Sequence, residues 1–481
     1  MAVYPGFIAA SNQLQSPRAD CSRLINLYLE NSDVQTGRPA LYGIPGQRSF
    51  LTVATDSDVR ALYAMNDRVL SVVGSTVVEL FAGATSMTLG TVTKNANPAQ
   101  IVFAAQGIQR ALIASGNNAY ELNLSTNVLS APVLTGEARQ IGVLNGIALA
   151  LDPSTGRLQL SAQDDFTTWP DAAVRSVAPD TWQAVHVKTP DIWLIGSQSG
   201  DVWYDTGESF PFAQRPGATF PYGIAAPFSI CSVGDSVLWL ARNAETAATV
   251  VQARGYVPKV IASYAIETAL TGYLQTSRVD DAEALGCEIN GHLFYVLSFP
   301  SANVTWAYDL RTGLWSEWGQ WNSPLNRFDR WLPRVTCQAF QRTLIGGSGS
   351  GAIAAFDDRT ITELDGGELR RVRIPPAIQA AEHRRLVVDR FELGVDSGVG
   401  TTIGQGSAPR VLLRTSGDFG KTWSNERYAE LGAIGNYEQE VVWNRCGSFL
   451  RSFTPELVIT DPVALKMTGA SIIGTGFGQG F

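Results

Sequence analysis

Basic charge, histidine, paired cysteine and long apolar runs are all scarce in this sequence, and each shortage excludes something. Lysine and arginine number 36 against 44 aspartates and glutamates, a net charge of −8. A domain built to grip nucleic acid is usually basic, so gripping it is excluded as the main task, whereas letting DNA pass is not. The five cysteines, Cys21, Cys231, Cys287, Cys337 and Cys446, are odd in number, far apart and never in a CxxC pair. That speaks against a disulfide framework or a zinc module and for buried thiols in a protein assembled in a reducing cytoplasm. No run of about 18 apolar residues occurs, so no membrane insertion is expected. The opening MAVYPGFIAASNQL has neither the basic nor the apolar segment of a secretory signal.

Catalytic constellations are missing too. There are three histidines, none paired at i, i+4, and HExxH, GxSxG and GxxxxGK[ST] are absent. His186 shares one strand face with Ala184 and Lys188, His292 follows a hairpin turn, and His383 sits in a charged run. All three read as structural. The acidic doublets Asp164-Asp165, Asp280-Asp281 and Asp357-Asp358 fall in loops, where carboxylates more often cap turns than bind calcium or serve a glycosidase. The expectation is a protein that is not an enzyme, with no catalytic residue, cofactor or metal.

What is abundant is turn chemistry and aromatic surface: 46 glycines, 12 tryptophans and 14 tyrosines, a mix suited to all-β structure. Residues 285–321, LGCEINGHLFYVLSFPSANVTWAYDLRTGLWSEWGQW, hold four short apolar runs separated by turns. The Asn290-Gly291 pair between two of them is a strong hairpin signal, because both residues tolerate the positive φ of a tight turn. Two or more meandering hairpins in about 40–50 residues resemble one β-propeller blade.

The run taken as a second strand recurs at Val69–Val73, Ala111–Ala114, Ile147–Leu151, Ile192–Ile195, Val237–Leu240, His292–Leu297 and Leu344–Gly346. The spacings are 42, 36, 45, 45, 55 and 52 residues, with Asn66-Asp67, Gly107-Ile108 and Asn145-Gly146 among the turns before them. One four-stranded sheet cannot bury both faces alone; neighbouring blades can cover them. The prediction is an all-β chain: an N-terminal arm with a first strand over 1–50, and a divergent β-propeller of six or seven blades over 51–370. A C-terminal β-sandwich-like domain with a Gly-rich tail follows over 371–481. The arm's strand falls within Ser22–Ser32 and is expected to pack on another domain or subunit.

Two local motifs stand out. Ser416, Asp418, Gly420, Thr422 and Trp423 form an Asp-box-like turn, in which the carboxylate accepts turn amides, glycine supplies positive φ and tryptophan packs beneath. Such a turn staples a hairpin; it is not catalytic. The stretch RFDRWLPR offers Arg327, Arg330, Trp331 and Arg334 as a candidate subunit or DNA contact loop, since arginine interleaved with aromatics suits protein interfaces and base stacking alike. Arg370–Arg373 is a second basic stretch.

INLYLE (Ile25–Glu30) with LYGIPG (Leu41–Gly46) resembles the N-terminal signature of the packaged-DNA stabilisation proteins of short-tailed phages, also called tail nozzle or tail hub proteins. The block Arg414–Ala470 is similar to their C-terminal β region, through Gly417-Asp418-x-Gly420-x-Thr422-Trp423, Leu431-Gly432, Trp443-Asn444-Arg445, Gly447-Ser448-Phe449 and Thr460-Asp461-Pro462. The resemblance brings no catalytic residue. It implies a structural virion protein of the tail, forming a homohexameric ring beneath the portal and its adaptor. That ring helps retain packaged double-stranded DNA and lets it exit, and it carries tail fibre, tailspike or needle proteins. Two other readings stay open: a sialidase-like propeller enzyme, which needs several Asp boxes and an arginine cluster, and a glycan-binding receptor-recognition protein.

Overall fold

In the computed structural model the described residues are 2–31, 37–65, 67–104, 109–175, 180–381 and 384–478. Asn66, Gly107, Ile108 and His383, and residues 479–481 of the glycine-rich tail, lie outside them. Almost every element is a strand; the α-helix among the described residues, Tyr264–Thr276, starts at Ser263, whose hydroxyl accepts the Ile266 amide. No helix among the described residues is long and apolar enough to cross a membrane.

All seven marked second strands are strands, each in its own antiparallel unit; five units are separate four-stranded sheets, the fifth blade has five strands, and the sixth blade's four belong to a larger sheet. The reason is local. These strands are buried along nearly their whole length, as in Asp191–Gly196, and short turns set their register. Glu283–Ile289 pairs with His292–Phe299 through the Asn290-Gly291 turn, with φ of +51° and +80°. The innermost strands of the first three units are Val59–Met65, Gln100–Phe103 and Gln140–Leu144, followed by Trp182–Lys188 and Cys231–Val233. Glu283–Ile289 and Pro333–Ala339 complete the set, and the last packs on the first, which closes the ring. Apolar clusters fill the gaps between blades: Leu70, Val72, Ile101 and Ile113 lie between the first two, and Val69, Leu80, Leu344 and Ile353 between the seventh and the first.

The seventh blade is closed from far away in sequence. Its own strands are Pro333–Ala339, Arg342–Gly347 and Ala352–Asp357; the fourth is Gly46–Thr52, antiparallel to Ala352–Asp357. Gly46 is held against the Thr360 carbonyl so closely that a Cβ there would lie 2.0 Å from the oxygen.

The C-terminal region is a two-sheet sandwich that borrows strands from the first 45 residues. One sheet runs Leu27–Glu30, Ala40–Gly43, Lys466–Thr475, Leu386–Val395, Val441–Phe449. The other includes Cys21–Ile25, Arg371–Ile374, Ser452–Ile459, Arg410–Ser416 and Arg427–Glu430. Phe391, Trp443, Phe453, Leu457 and Met467 fill the space between them. The stretch 456–472 spans parts of two strands, Ser452–Ile459 and Lys466–Thr475, separated by the turn at Asp461-Pro462. The single strand expected within Ser22–Ser32 is two, because Asn26 turns the chain at φ +55° from one sheet into the other. Its buried amide donates to the Gly319 and Arg370 carbonyls and its oxygen accepts the Gly319 amide. Ile25 also pairs in parallel with Glu317, so one continuous sheet runs from the sixth blade into the sandwich.

Candidate functional site

The Asp-box-like turn forms between Arg410–Ser416 and Arg427–Glu430. The Asp418 Oδ1 accepts the Lys421 and Thr422 amides, each at 2.9 Å, and Oδ2 accepts the Thr422 hydroxyl at 2.7 Å. The Ser416 hydroxyl donates to Asp418 and accepts the Gly420 amide. Trp423 packs on Ile25, Val372, Ile374 and Val458, with the Arg414 guanidinium over its ring. Partial burial pushes the Asp418 pKa up, but the hydrogen bonds from Thr422, Ser416 and Lys421 outweigh it and hold the carboxyl at about 2. The carboxylate of Asp418 and the hydroxyls of Ser416 and Thr422 are spent on their own turn, so the motif's chemistry is stapling. A depressed carboxylate pKa stabilises above its unfolded value and ceases to do so as pH falls through the folded one. Asp418→Ala is therefore expected to cost about 1 kcal/mol at neutral pH and nearly nothing at pH 2, read from chemical unfolding at both.

RFDRWLPR does not form one surface loop. Arg327–Arg330 is a strand that extends the sixth blade by pairing with Leu314–Asn322, and Arg327, the exposed member, pairs with Asp329 at 2.9 Å. Arg330 is half-buried, its pKa lowered by burial against the pull of Glu283. Trp331 points inward and is 1% exposed, edge-on to Trp318 at 4.9 Å and stacked on Phe356 at 6.2 Å. Arg334 is buried as well: it holds the Glu283 carboxylate, the Asp58 carboxylate at 3.3 Å and the Ala96 carbonyl at 3.2 Å. Those three partners lie just before or at the start of inner strands of the sixth, first and second blades. Arg334 thus ties the ring where it closes, and Trp331 fills its core; neither offers a partner its side chain.

The second basic stretch follows the same logic. Arg370 lies over the Trp321 ring at 4.2 Å, while Arg371 and Arg373 are buried and donate to backbone carbonyls. In RVRI the two arginines alternate with valine and isoleucine, a period that reads as a strand with one exposed face, whereas both faces are buried.

The two described histidines, His186 and His292, are held by structural contacts. His186 Nε2 meets the Ser232 hydroxyl at 2.6 Å, and burial, aided by Lys188, pulls its pKa down to about 4. His292 Nδ1 meets Asp309 at 2.8 Å, and Asp309 also accepts the Arg311 amide and the Thr312 hydroxyl of the next turn. The acidic doublets cap local groups: Asp165 takes Thr167, Asp280 pairs with Arg278, and Asp357 accepts the Arg359 amide. Among the described residues no three His, Cys, Asp or Glu side chains are grouped to hold a metal.

A cavity of about 600 Å³ lies on the propeller axis, walled by all seven inner strands, with Tyr63, Gln100, Val143, His186, Ser232, Gly286 and Thr336 among its lining. No sequence signal marks it, because each blade contributes only a few residues. Its size is that of a small-molecule cleft. It cannot pass a nucleic-acid duplex.

Comparison with known proteins adds the following. A family described as bacteriophage P22 Gp10, beta-propeller, matches residues 21–361. A second, described as bacteriophage P22 Gp10, beta-sandwich, matches residues 373–474. No curated protein matches this chain. Among solved structures, virginiamycin B lyase from Staphylococcus aureus is similar at 8% identity over 63% of this chain and 96% of the lyase, with a TM-score of 0.42. YCF48, solved with a D1 peptide, is similar at 10% identity over 73% of this chain and 98% of that one, with a TM-score of 0.40.

Proposed function

Since this chain belongs to the bacteriophage P22 Gp10 family, we propose that it is a structural component of a phage tail that works by assembly, without turnover. The observation that carries this reading is the match of both modules, in order, over residues 21–361 and 373–474 of one chain. In this reading, copies form a nozzle or hub ring, a homohexamer, which continues the portal-adaptor channel, helps retain packaged double-stranded DNA and releases it during infection. Tail fibres, tailspikes or a needle attach to the same ring.

Physical features support it. The axial cavity of each propeller is too small for DNA, so the duplex runs between copies and not through blades. A net charge of −8 suits a conduit, because a strongly basic lumen would hold phosphates through counterion release. Five free thiols suit assembly in the reducing host cytoplasm.

Electron microscopy of particles carrying a C-terminally tagged chain tests the reading. Ring-shaped tag density at the tail below the portal is the expected result. Density at fibre tips would move the assignment to receptor recognition, and no particle-associated density would overturn it.

A further inference from the structure

The sandwich has two ends of opposite character. At one end lie the turns before Leu386–Val395, after Arg410–Ser416 and between Val441–Phe449 and Ser452–Ile459. The turns expose Arg384, Arg385, Lys421 and Arg451, and the strands beside them expose Arg427 and Arg445; none of these six is in an ion pair among the described residues. Asp389, Asp418 and Glu426 stand against them, with Asp418 spent on its own turn. Leu450, 66% exposed, caps this basic end.

At the other end, two loops are tied together: the Gly398 amide donates to the Leu431 carbonyl, the Gly435 amide to the Gly398 carbonyl, and the Ser397 hydroxyl to the Tyr437 carbonyl. They present Ile403, Ile434 and Tyr437, exposed at 84%, 58% and 75%. Around this apolar tip stand Asp396, Glu430, Glu438, Glu440 and Asp461. The nearby cations are already engaged: Arg390 with Glu392 and Glu440, Lys466 with Asp396, and Arg410 over the Tyr428 ring. Glu430 and Glu438 are in no ion pair among the described residues.

We propose that the acidic, apolar-tipped end of the sandwich docks on the basic, Leu450-capped end of a second copy of this chain. An apolar centre with a charged rim is the anatomy of a protein interface, and the two rims are of opposite sign. Because the two patches differ, the contact is head-to-tail, the kind that closes into a ring when the rotation permits. The inference rests on the ring reading above and names the surfaces that build it.

The test uses the full chain in sedimentation at about 50 mM and about 500 mM salt, where surface attraction is screened differently. Wild type associates at low salt and less at high salt. The double reversals Arg445→Glu/Arg451→Glu and Glu430→Lys/Glu438→Lys each weaken association by about tenfold or more. Their thermal midpoints stay unchanged, since all four residues are exposed. An equimolar mixture of the two variants restores association, because each then meets an end of opposite charge. Leu450→Asp, which reverses no charge pair, weakens it as well. A chain that stays monomeric, reversals without effect, or a mixture that restores nothing overturns the proposal. So does a basic end that binds a short DNA duplex, and loses it on reversal, while association is untouched. Reversed chains that still enter a tail ring in particles would sink this contact and leave the tail assignment standing.

Discussion

Replacing Arg373 by alanine is expected to destabilise the chain by about 4 kcal/mol, near the upper end for one substitution. The guanidinium is 0% exposed, and its donors go to three carbonyls of the N-terminal segment: Phe7 at 2.7 Å, Gly6 at 2.8 Å and Arg23 at 3.2 Å. Burial lowers its pKa to about 10, so it stays charged at neutral pH, with carbonyl dipoles in place of a carboxylate. Alanine leaves these acceptors unpaired in a closed interior, each at a cost of about 1–3 kcal/mol that entering water only partly offsets. Arg373→Lys keeps the charge but not the three-way reach, and is expected to lose about half as much. Urea unfolding midpoints check both. A lysine variant as stable as wild type would show that charge, not fork geometry, holds the segment.

Replacing Glu363 by glutamine is expected to stabilise the protein, by an amount that depends on pH. Glu363 is 3% exposed and accepts the Gln47 side-chain amide at 2.6 Å, which places it against the strand that closes the seventh blade. Desolvation, reinforced by Asp365 and opposed by Arg371, raises its pKa from 4.5 to about 8. Its Oε1 and the Gln47 Oε1 both lack hydrogen-bond partners. A proton on the carboxyl removes the buried charge and turns one of its oxygens into a donor. The folded state therefore binds a proton that the unfolded chain releases near pH 4.5, and stability falls as pH rises from there to about 8. Glutamine supplies the donor at every pH. The gain is expected to be small at pH 4.5 and on the order of 3 kcal/mol at pH 8, where wild type must desolvate a charge or carry a costly proton. An equal gain at both pH values would remove the carboxyl's proton from the account.

The sequence shows some of this clearly. The second strand of every blade was legible because burial on both faces and flanking turns are local properties, as in Asp191–Gly196 and His292–Phe299. The Asp418 turn was legible for the same reason: its partners lie within six residues. The destinations of the first 50 residues were not, since Cys21–Ile25 pairs with Arg371–Ile374 and Gly46–Thr52 with Ala352–Asp357. No pattern within a window reports a partner more than 300 positions on. Trp331 and Arg334 misled because a basic, aromatic run reads as surface whether its charges face water or, like Arg334, two buried or half-buried carboxylates. The axial cavity was invisible because only the closed ring creates it.

The exchange of strands between the two ends of the chain has a consequence during synthesis. A ribosome adds about 5–20 residues per second, so Gly46–Thr52 leaves it well before Ala352–Asp357 exists. Ala40–Gly43 waits longer still, for Lys466–Thr475. Until then Gly46–Thr52 has no strand partner and Ala40–Gly43, paired only with Leu27–Glu30, has one edge bare, the kind of surface that chaperones cover and that aggregates when left exposed. A chain broken off early cannot hide them and cannot finish either module. Length is thus written into the fold itself: only a chain that reaches Lys466–Thr475 can cover the edge laid down at Ala40–Gly43.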